Sequence, residues 1–340
     1  MDSAPSTSPS PRILTNMAFW QSARWNERAD SIYDMKGRDS DPVFWSEGSE
    51  AVRLFRRQGG YDVIVTMGAR TSLLYGLLCL LAGRDAKQVM TEAFIDEARP
   101  ADPLWRAKIG LYRLVAQRSL GVLASSSAEI RTISERFAMN PSRLIFVPLH
   151  SNIHDPHREP RRDGFVLSAG RTWRDYPALL AAAGEIRAPI VVICGDRDLR
   201  HAAIPPNVTV LREVPRERYL DHLCRCDAVA LPLAQIGRST GQVVMLEAMA
   251  LGKPVVVTRS PGIVDYLRDG ENGLLVEPGD AAGLARAVRR LLDDGALADR
   301  LTKRALEDVK RQYTFEHHAA AKMAAIERLW AGFKANPVAR

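Results

Sequence analysis

Short apolar runs alternate with amphipathic stretches along most of the chain, at spacings that predict repeated strand–helix units. In the second half the runs fall at 165–169, 190–194, 208–212, 228–231, 255–258 and 274–276. They are too short for helices and carry few polar residues, which suits strands covered on both faces. Between and after them, helical patterns fall at 242–251, 281–292, about 296–311 and 315–333. In the first half the strand runs are 13–17, 62–66, 88–91, 121–124 and 144–147. Helices are predicted near 50–58, at 71–82 and from Ser126 or Ser127 to about Phe137. A Trp- and Arg-rich stretch reaching about Glu47 yields no assignable element. Strands alternating with helices imply parallel pairing, so the fold class is α/β with doubly wound sheets.

A chain of 340 residues, 46% of them hydrophobic, can bury more than one core. Two domains are expected, 13–151 and 163–314, joined through a charged, Pro-containing linker at 152–163. Residues 1–12 are Ser- and Pro-rich without an apolar centre, and read as a disordered tail, not a secretion signal. The longest apolar run, 73–82, falls short of the ~20 residues a membrane span needs. The net charge of +7 suits a diphosphate ligand or an anionic surface and does not by itself indicate nucleic acid. Cys79, Cys194, Cys224 and Cys226 read as free thiols of a reducing compartment, so a cytoplasmic location is expected. His222, Cys224 and Cys226 invite a metal reading, but on a helix Cys224 points away from the other two. No metal site is expected.

The densest chemical signal is Ser239-Thr-Gly-Gln-Val-Val-Met-Leu-Glu247. Thr240–Gly241 suits a helix start, because a Thr oxygen can accept from an unpaired first-turn amide. The helix that follows is nearly all apolar, yet it carries Glu247, one turn from Val243, Val244, Ala250 and Leu251. A carboxylate on such a face needs strong donors. They come either from a ligand or from a basic side chain elsewhere in the core.

This segment continues through Gly262, Asp265-Tyr266, Asp269-Gly-Glu-Asn-Gly273 and Leu274 to Asp280. Over 239–280 it closely resembles the C-terminal domain of the family-4 retaining glycosyltransferases, and more loosely back to about 163. The resemblance implies the GT-B fold, two Rossmann-like domains facing across a cleft, with a C-terminal helix, 315–340, crossing back to the N-terminal domain. It implies a metal-independent transfer of sugar, with retention, from a nucleotide-diphosphate-sugar to an acceptor hydroxyl on a glycan, a lipid-linked carrier or a small molecule. No cofactor is implied. Glu247 would hold the ribose hydroxyls, and Thr240, Gly241 and Gln242 would lie against diphosphate and sugar. The family has a second glutamate eight residues before Glu247, touching the donor sugar. Here that position is Ser239, which leaves a hydroxyl contact, altered sugar contacts or lost activity as alternatives. Rival readings are a GT-B nucleotide-sugar epimerase and a catalytically silent nucleotide-binding subunit.

Further candidates follow the same resemblance. Gly170 and Arg171 close the strand at 165–169, where the family contacts the diphosphate, and Arg174 stands near the position of a family lysine. For Arg171 the plain alternative is a surface ion pair. Gly195, with Asp196, would approach the nucleotide by its backbone, and Val214 and Pro215 would lie near the base. Asp265 reads as structural, capping or bracing the turn before Asp269–Gly270. Glu92, at a strand end on the acceptor side, would orient the acceptor hydroxyl or stabilise positive charge at the sugar; it is otherwise an ordinary loop carboxylate. Gly68 and Arg70 are weaker acceptor-side candidates. Segment 103–118 has four basic residues and no acid, with Trp105, Ile109, Tyr112 and Ala116 on one helical face. It either packs on the core or lies on an anionic membrane inner surface.

Overall fold

The computed structural model describes residues 10–17, 22–33, 47–92, 101–153, 161–236 and 238–335. Most of the 1–12 tail, residues 34–46 of the Trp- and Arg-rich stretch, and 154–160 of the linker lie outside the described residues. Two compact units result: Met1–Ser125 with Ile130–Val147 and Ala319–Arg340, and Ser126–Glu129 with Pro148–His318.

The first unit holds strands β1 (Ile13–Thr15), β2 (Ala29–Ser31), β3 (Val63–Met67), β4 (Gln88–Thr91), β5 (Gly121–Ala124) and β6 (Leu144–Phe146). They form one parallel sheet in the order β2-β1-β3-β4-β5-β6. Its helices are α1 (Ala23–Asn26), α2 (Glu47–Arg57), α3 (Ala69–Leu81), α4 (Pro103–Arg118) and α5 (Ser127–Phe137), whose first turn counts with the second unit. Strand β2 and helix α1 come from the stretch that gave no assignable element. Only Ala29 of the three β2 residues is buried, so no alternation exists there to read. Helix α4 buries Ile109, Tyr112 and Ala116 against Met90, Val122 and Phe137, which is the core-packing reading of segment 103–118. Leu104 on the same helix is 82% exposed.

The second unit holds β7 (Val166–Ala169), β8 (Ile190–Cys194), β9 (Val208–Arg212), β10 (Ala228–Leu231), β11 (Val255–Thr258) and β12 (Leu274–Val276). Helices α6 (Tyr176–Ala183), α7 (Arg216–Arg225), α8 (Gln242–Ala250), α9 (Ala281–Asp293) and α10 (Gly295–Gln312) accompany them. All strands run parallel in the order β12-β11-β10-β7-β8-β9. Every residue of β7, β10 and β11 is buried, as expected of strands covered on both faces. Strand order reverses at β7, between β8 and β10, and ligands of such sheets collect at the carboxyl ends beside that reversal.

Several motif residues have structural work here. Asn272 accepts from the Arg268 N–H and donates to the Tyr266 carbonyl and to Asp308, so the Asp269–Gly273 turn is braced from within. A Cβ on Gly273 would sit 2.6 Å from Leu267 and 2.8 Å from Val255, which requires glycine. Asp265 has a structural, capping role at a different place from the one expected: its carboxylate accepts from the Ser127 N–H and hydroxyl at the start of α5. Lys253 is buried and donates to the carbonyls of Arg161 and Cys226, tying a loop to the C-cap of α7. The last helix, α11 (Phe315–Ala335), contributes Ala319, Met323, Ile326, Leu329 and Trp330 to the core cluster that contains Ile13, Val63 and Val89.

Candidate functional site

Strand β7 ends where Gly170 turns the chain at φ 140°. A Cβ there would lie 2.3 Å from an Arg174 terminal nitrogen, so glycine is what gives the guanidinium its room. Arg174 Nε donates to the Ala169 carbonyl at 2.9 Å, and Nη1 donates to the Thr172 carbonyl at 2.9 Å and to Thr240 Oγ1 at 3.4 Å. It makes no ion pair among the described residues. Burial pulls its pKa below the usual arginine value. Arg171 is placed differently. Its guanidinium is 62% exposed and pairs with Glu213 at 2.9 Å, the surface ion pair weighed as its alternative.

Glu213 stands just past β9 in the left-handed region, φ 47°, and also accepts from the Asp196 N–H at 3.0 Å. The Gly195 N–H donates to Asp198 at 2.8 Å. Both backbone donors that were expected to face a nucleotide are thus occupied by carboxylates of the protein.

Glu247 is 1% exposed. One oxygen accepts from Arg216 at 2.8 Å and the other from the Tyr219 hydroxyl at 2.7 Å, both from the first turn of α7. Burial, and next the adjacent Glu247 charge, raise the Tyr219 pKa well above the usual phenol value, so this hydroxyl stays a donor. Arg216 and Tyr219 went unnoticed in the sequence. They lie three apart on one helix, a pairing signal only once a partner 31 residues away is known.

Glu247 forms part of the wall of a pocket of about 250 Å³, with Gly170, Arg171, Val214, Arg216 and Tyr219 also lining it. It opens at the ends of β7 and β8 and along α8. Arg174, Gly195, Pro215, Ser239, Thr240, Gly241 and Gln242 fall outside that lining. Pro215 is the N-cap residue of α7.

At the start of α8 the expected Thr240 cap is corrected. Gly241 is the N-cap residue, at φ 86°, with no side-chain cap. A Cβ there would come within 2.9 Å of Leu233. The Thr240 hydroxyl turns instead to the Thr172 carbonyl and Arg174. Uncapped first-turn amides and the positive end of the helix dipole favour an anion. Just before it, the Ser239 N–H donates to Glu129 at 3.1 Å, a residue the sequence did not single out.

In the first unit, Glu92 follows β4 directly, with φ 51°. Its charge acts on buried Lys322, whose pKa burial pulls down to about 8 while Glu92 pushes it back up. Gly68 is the N-cap of α3 at φ 89°, and the exposed Arg70 pairs with Glu47 at 3.1 Å. Among the described residues no group of three or more His, Cys, Asp or Glu side chains could hold a metal, and no helix is long and apolar enough to cross a membrane.

Two six-stranded parallel sheets with flanking helices define the GT-B class of protein. Residues 164–294 match the family model for glycosyl transferases group 1. Lipopolysaccharide core biosynthesis glycosyltransferase LpsE of Rhizobium meliloti is 48% identical over 73 residues, 22% of this chain and 22% of LpsE. Phosphatidyl-myo-inositol mannosyltransferase of Mycobacterium leprae is 42% identical over 155 residues, 45% of this chain and 40% of that protein. Each match thus spans less than half of the relative. Among solved structures, Anabaena HepE in complex with UDP-glucose superposes with a TM-score of 0.69 at 16% identity, covering 92% of this chain and 99% of HepE.

Proposed function

We propose that the protein is a glycosyltransferase that takes a sugar from a nucleotide-diphosphate-sugar and passes it to an acceptor hydroxyl. The observation that carries this reading is Glu247, buried, held at 2.8 and 2.7 Å by two donors, and forming part of a pocket wall at the strand ends. Each carboxylate oxygen has two lone-pair directions, so one on each is left for the paired hydroxyls of a ribose. Arg174, Arg171 and the start of α8 supply positive charge for the diphosphate. Gly195 and Val214 would border the nucleoside, and Pro215 would set the entry of α7 beside it.

Transfer with retention and without a metal is the finer part of the proposal. The departing diphosphate takes the acceptor proton, and the protein contributes position and charge stabilisation. Glu92 would act on the acceptor side, with Gly68 shaping the turn and Arg70 at the surface. Relatives named for lipopolysaccharide core and phosphatidyl-inositol substrates make a lipid-linked acceptor the favoured class. The exposed Leu104 and Leu111 among the basic residues of α4 suit peripheral contact with an anionic membrane. Ser239, in place of a carboxylate, favours one rival, a silent nucleotide-binding subunit. Calorimetry with a panel of nucleoside diphosphates and their sugars, followed by turnover with excess chelator, tests the reading. Binding without turnover supports the rival, and no binding by the folded protein overturns both.

A further inference from the structure

Trp173 lies in the β7–α6 connection, between Arg171 and Arg174, and is 39% exposed. Its backbone is in the left-handed region, φ 57°, which a bulky side chain rarely adopts and glycine adopts freely. The backbone bonds account for the turn. The Trp173 carbonyl accepts the Ala234 N–H at 3.0 Å, and the next side chain, Arg174, folds back to the Thr172 carbonyl at 2.9 Å. Glycine at 173 would allow the same bonds without strain, so they explain the backbone and not the indole. Among the described residues the indole makes no hydrogen bond or ring contact. Strained residues of this kind cluster where a ligand is held. Two more apolar side chains are exposed nearby in the fold: Val243 on the first turn of α8, 43%, and Val264 in the turn after β11, 45%. That turn packs on the segment leading into α8, since a Gly262 Cβ would stand 2.5 Å from Ser239 Cβ. The β7–α6 connection touches the same segment, where the Thr172 carbonyl accepts the Thr240 hydroxyl at 3.4 Å.

We propose that Trp173 is a stacking platform for the acceptor, and that the acceptor lays the apolar face of a pyranose ring on it. The inference rests on the nucleotide-sugar reading above. Along a bound nucleotide-sugar, the base would border Val214, in a pocket that Trp173 does not line. The diphosphate needs charge, which the indole lacks. The donor sugar is met by the start of α8. What remains is the acceptor, which must come within bonding distance of the anomeric carbon. A pyranose carries C–H groups on its faces and hydroxyls around its rim. An indole answers with a large flat apolar body and one N–H at its edge. It has only two side-chain torsions to order on binding. The exposed Val243 and Val264 extend the apolar surface along the same strand ends.

The test uses the full chain saturated with UDP or GDP, whichever calorimetry finds to bind. The probes are the methyl α-glycosides of glucose, galactose, mannose and N-acetylglucosamine. The Trp173 indole N–H signal, identified by its loss in Trp173→Phe, should shift and saturate with at least one glycoside. Trp173→Gly suits the left-handed backbone and removes the ring. It should weaken that glycoside about tenfold, as for loss of one aromatic stacking contact, read by saturation transfer to the glycoside. Affinity for the nucleoside diphosphate and for UDP-glucose or GDP-mannose should stay within about twofold. Trp173→Phe, with a smaller flat face, should recover part of the glycoside affinity. A loss confined to the nucleotide-sugar places the indole on the donor and overturns the acceptor assignment. Equal loss for diphosphate and glycoside, with a lower melting temperature, assigns it to loop packing and overturns the proposal. So does unchanged glycoside affinity in Trp173→Gly, or a wild-type complex that binds no glycoside. Failure of the wild-type protein to bind any nucleoside diphosphate is a different result: it removes the nucleotide-sugar reading, and the platform falls with it.

Discussion

Glu50 and Glu247 are both buried carboxylates, one in each unit, and what surrounds them separates a structural acid from a candidate site. Glu50 takes three donors from the protein and does not line the pocket beside Glu247. One oxygen accepts from Asn16 and Thr71, each at 2.7 Å, and the other takes the Tyr33 hydroxyl. Burial, and then Glu50 itself, raises the Tyr33 pKa, so the hydroxyl remains a donor. Glu247 has two donors, one of them an arginine that is half exposed, and a pocket beside it. A buried acid is therefore no marker of function by itself. Unfilled lone pairs that adjoin an open volume are the better marker.

Truncating each acid breaks or upholds that contrast. Glu50→Ala removes the acceptor that three buried donors share, and should cost about 3 kcal/mol or more of unfolding free energy in denaturant melts. In protein that remains folded, nucleoside-diphosphate affinity should be unchanged. Glu247→Ala should weaken that affinity by about 1.5–3 kcal/mol, the range for a hydrogen bond to a charged group. If both variants lose affinity equally, Glu50 is not the closed structural acid described here.

The two arginines repeat the contrast within the second unit. Arg171 follows β7 directly, but Glu213 already offsets its charge in solvent. Arg174 holds only neutral partners. Its positive charge is the one left without a counter-ion, and Arg174→Ala should lower turnover by about a hundredfold, as for loss of one preorganised charge contact. Arg174→Lys should recover only part, because an ammonium cannot reproduce the guanidinium fork. Steady-state kinetics should find a smaller loss in Arg171→Ala. The opposite ranking would restore Arg171, the residue favoured by strand-end position, as the principal diphosphate contact.

How much of this was legible in the sequence depended on range. The strands of the second unit were readable to within a residue, because runs such as Ile190–Cys194 are apolar throughout. Ala29–Ser31 was not, since a three-residue edge strand with a single buried side chain carries no period. Glu247 was legible as an anomaly on an apolar helix. Its partners Arg216 and Tyr219 were not, and neither was Glu129, 110 residues from the Ser239 amide it accepts. Local pattern names the odd residue, and only the tertiary fold says which groups answer it. The Thr240 misassignment has the same origin. A Thr–Gly pair before a helix fits a cap, but the pull of Arg174 and Thr172 on the hydroxyl is invisible in one dimension.

Lys322 sharpens the picture of the first unit as a sealed interior. It is 2% exposed, and burial lowers its pKa from 10.5 to about 8. The unfolded chain then binds more protons than the folded one between about pH 8 and 10.5, so stability rises with pH across that window. Below pH 8 the buried charge is a standing cost. Lys322→Met should remove the rise and stabilise the protein at pH 7 by on the order of 2 kcal/mol, read from denaturant melts at pH 7 and 10. A wild-type protein whose stability is flat over this range, and matches the variant, would show the amine reaches water.

The smallest effect concerns Thr240, where the cap and the pocket make opposite demands. A Thr that caps a helix contributes about 1 kcal/mol, which alanine removes. Here the N-cap is Gly241, and the Thr240 hydroxyl contacts Thr172 and Arg174 at 3.4 Å each, long for hydrogen bonds. Thr240→Ala should therefore cost under about 0.5 kcal/mol of stability, within the range of ordinary surface changes. The same substitution frees Arg174 Nη1 from one of its two anchors, so its effect belongs in ligand binding. Nucleoside-diphosphate affinity should fall about two- to fivefold, since a loosened guanidinium must be ordered again on binding. Thermal melts and calorimetry on one preparation separate the two. A stability loss near 1 kcal/mol with affinity intact would return Thr240 to the capping role that its sequence suggests. A loss confined to affinity would place it with Arg174 at the open end of α8, where the second unit leaves its polar groups for a ligand.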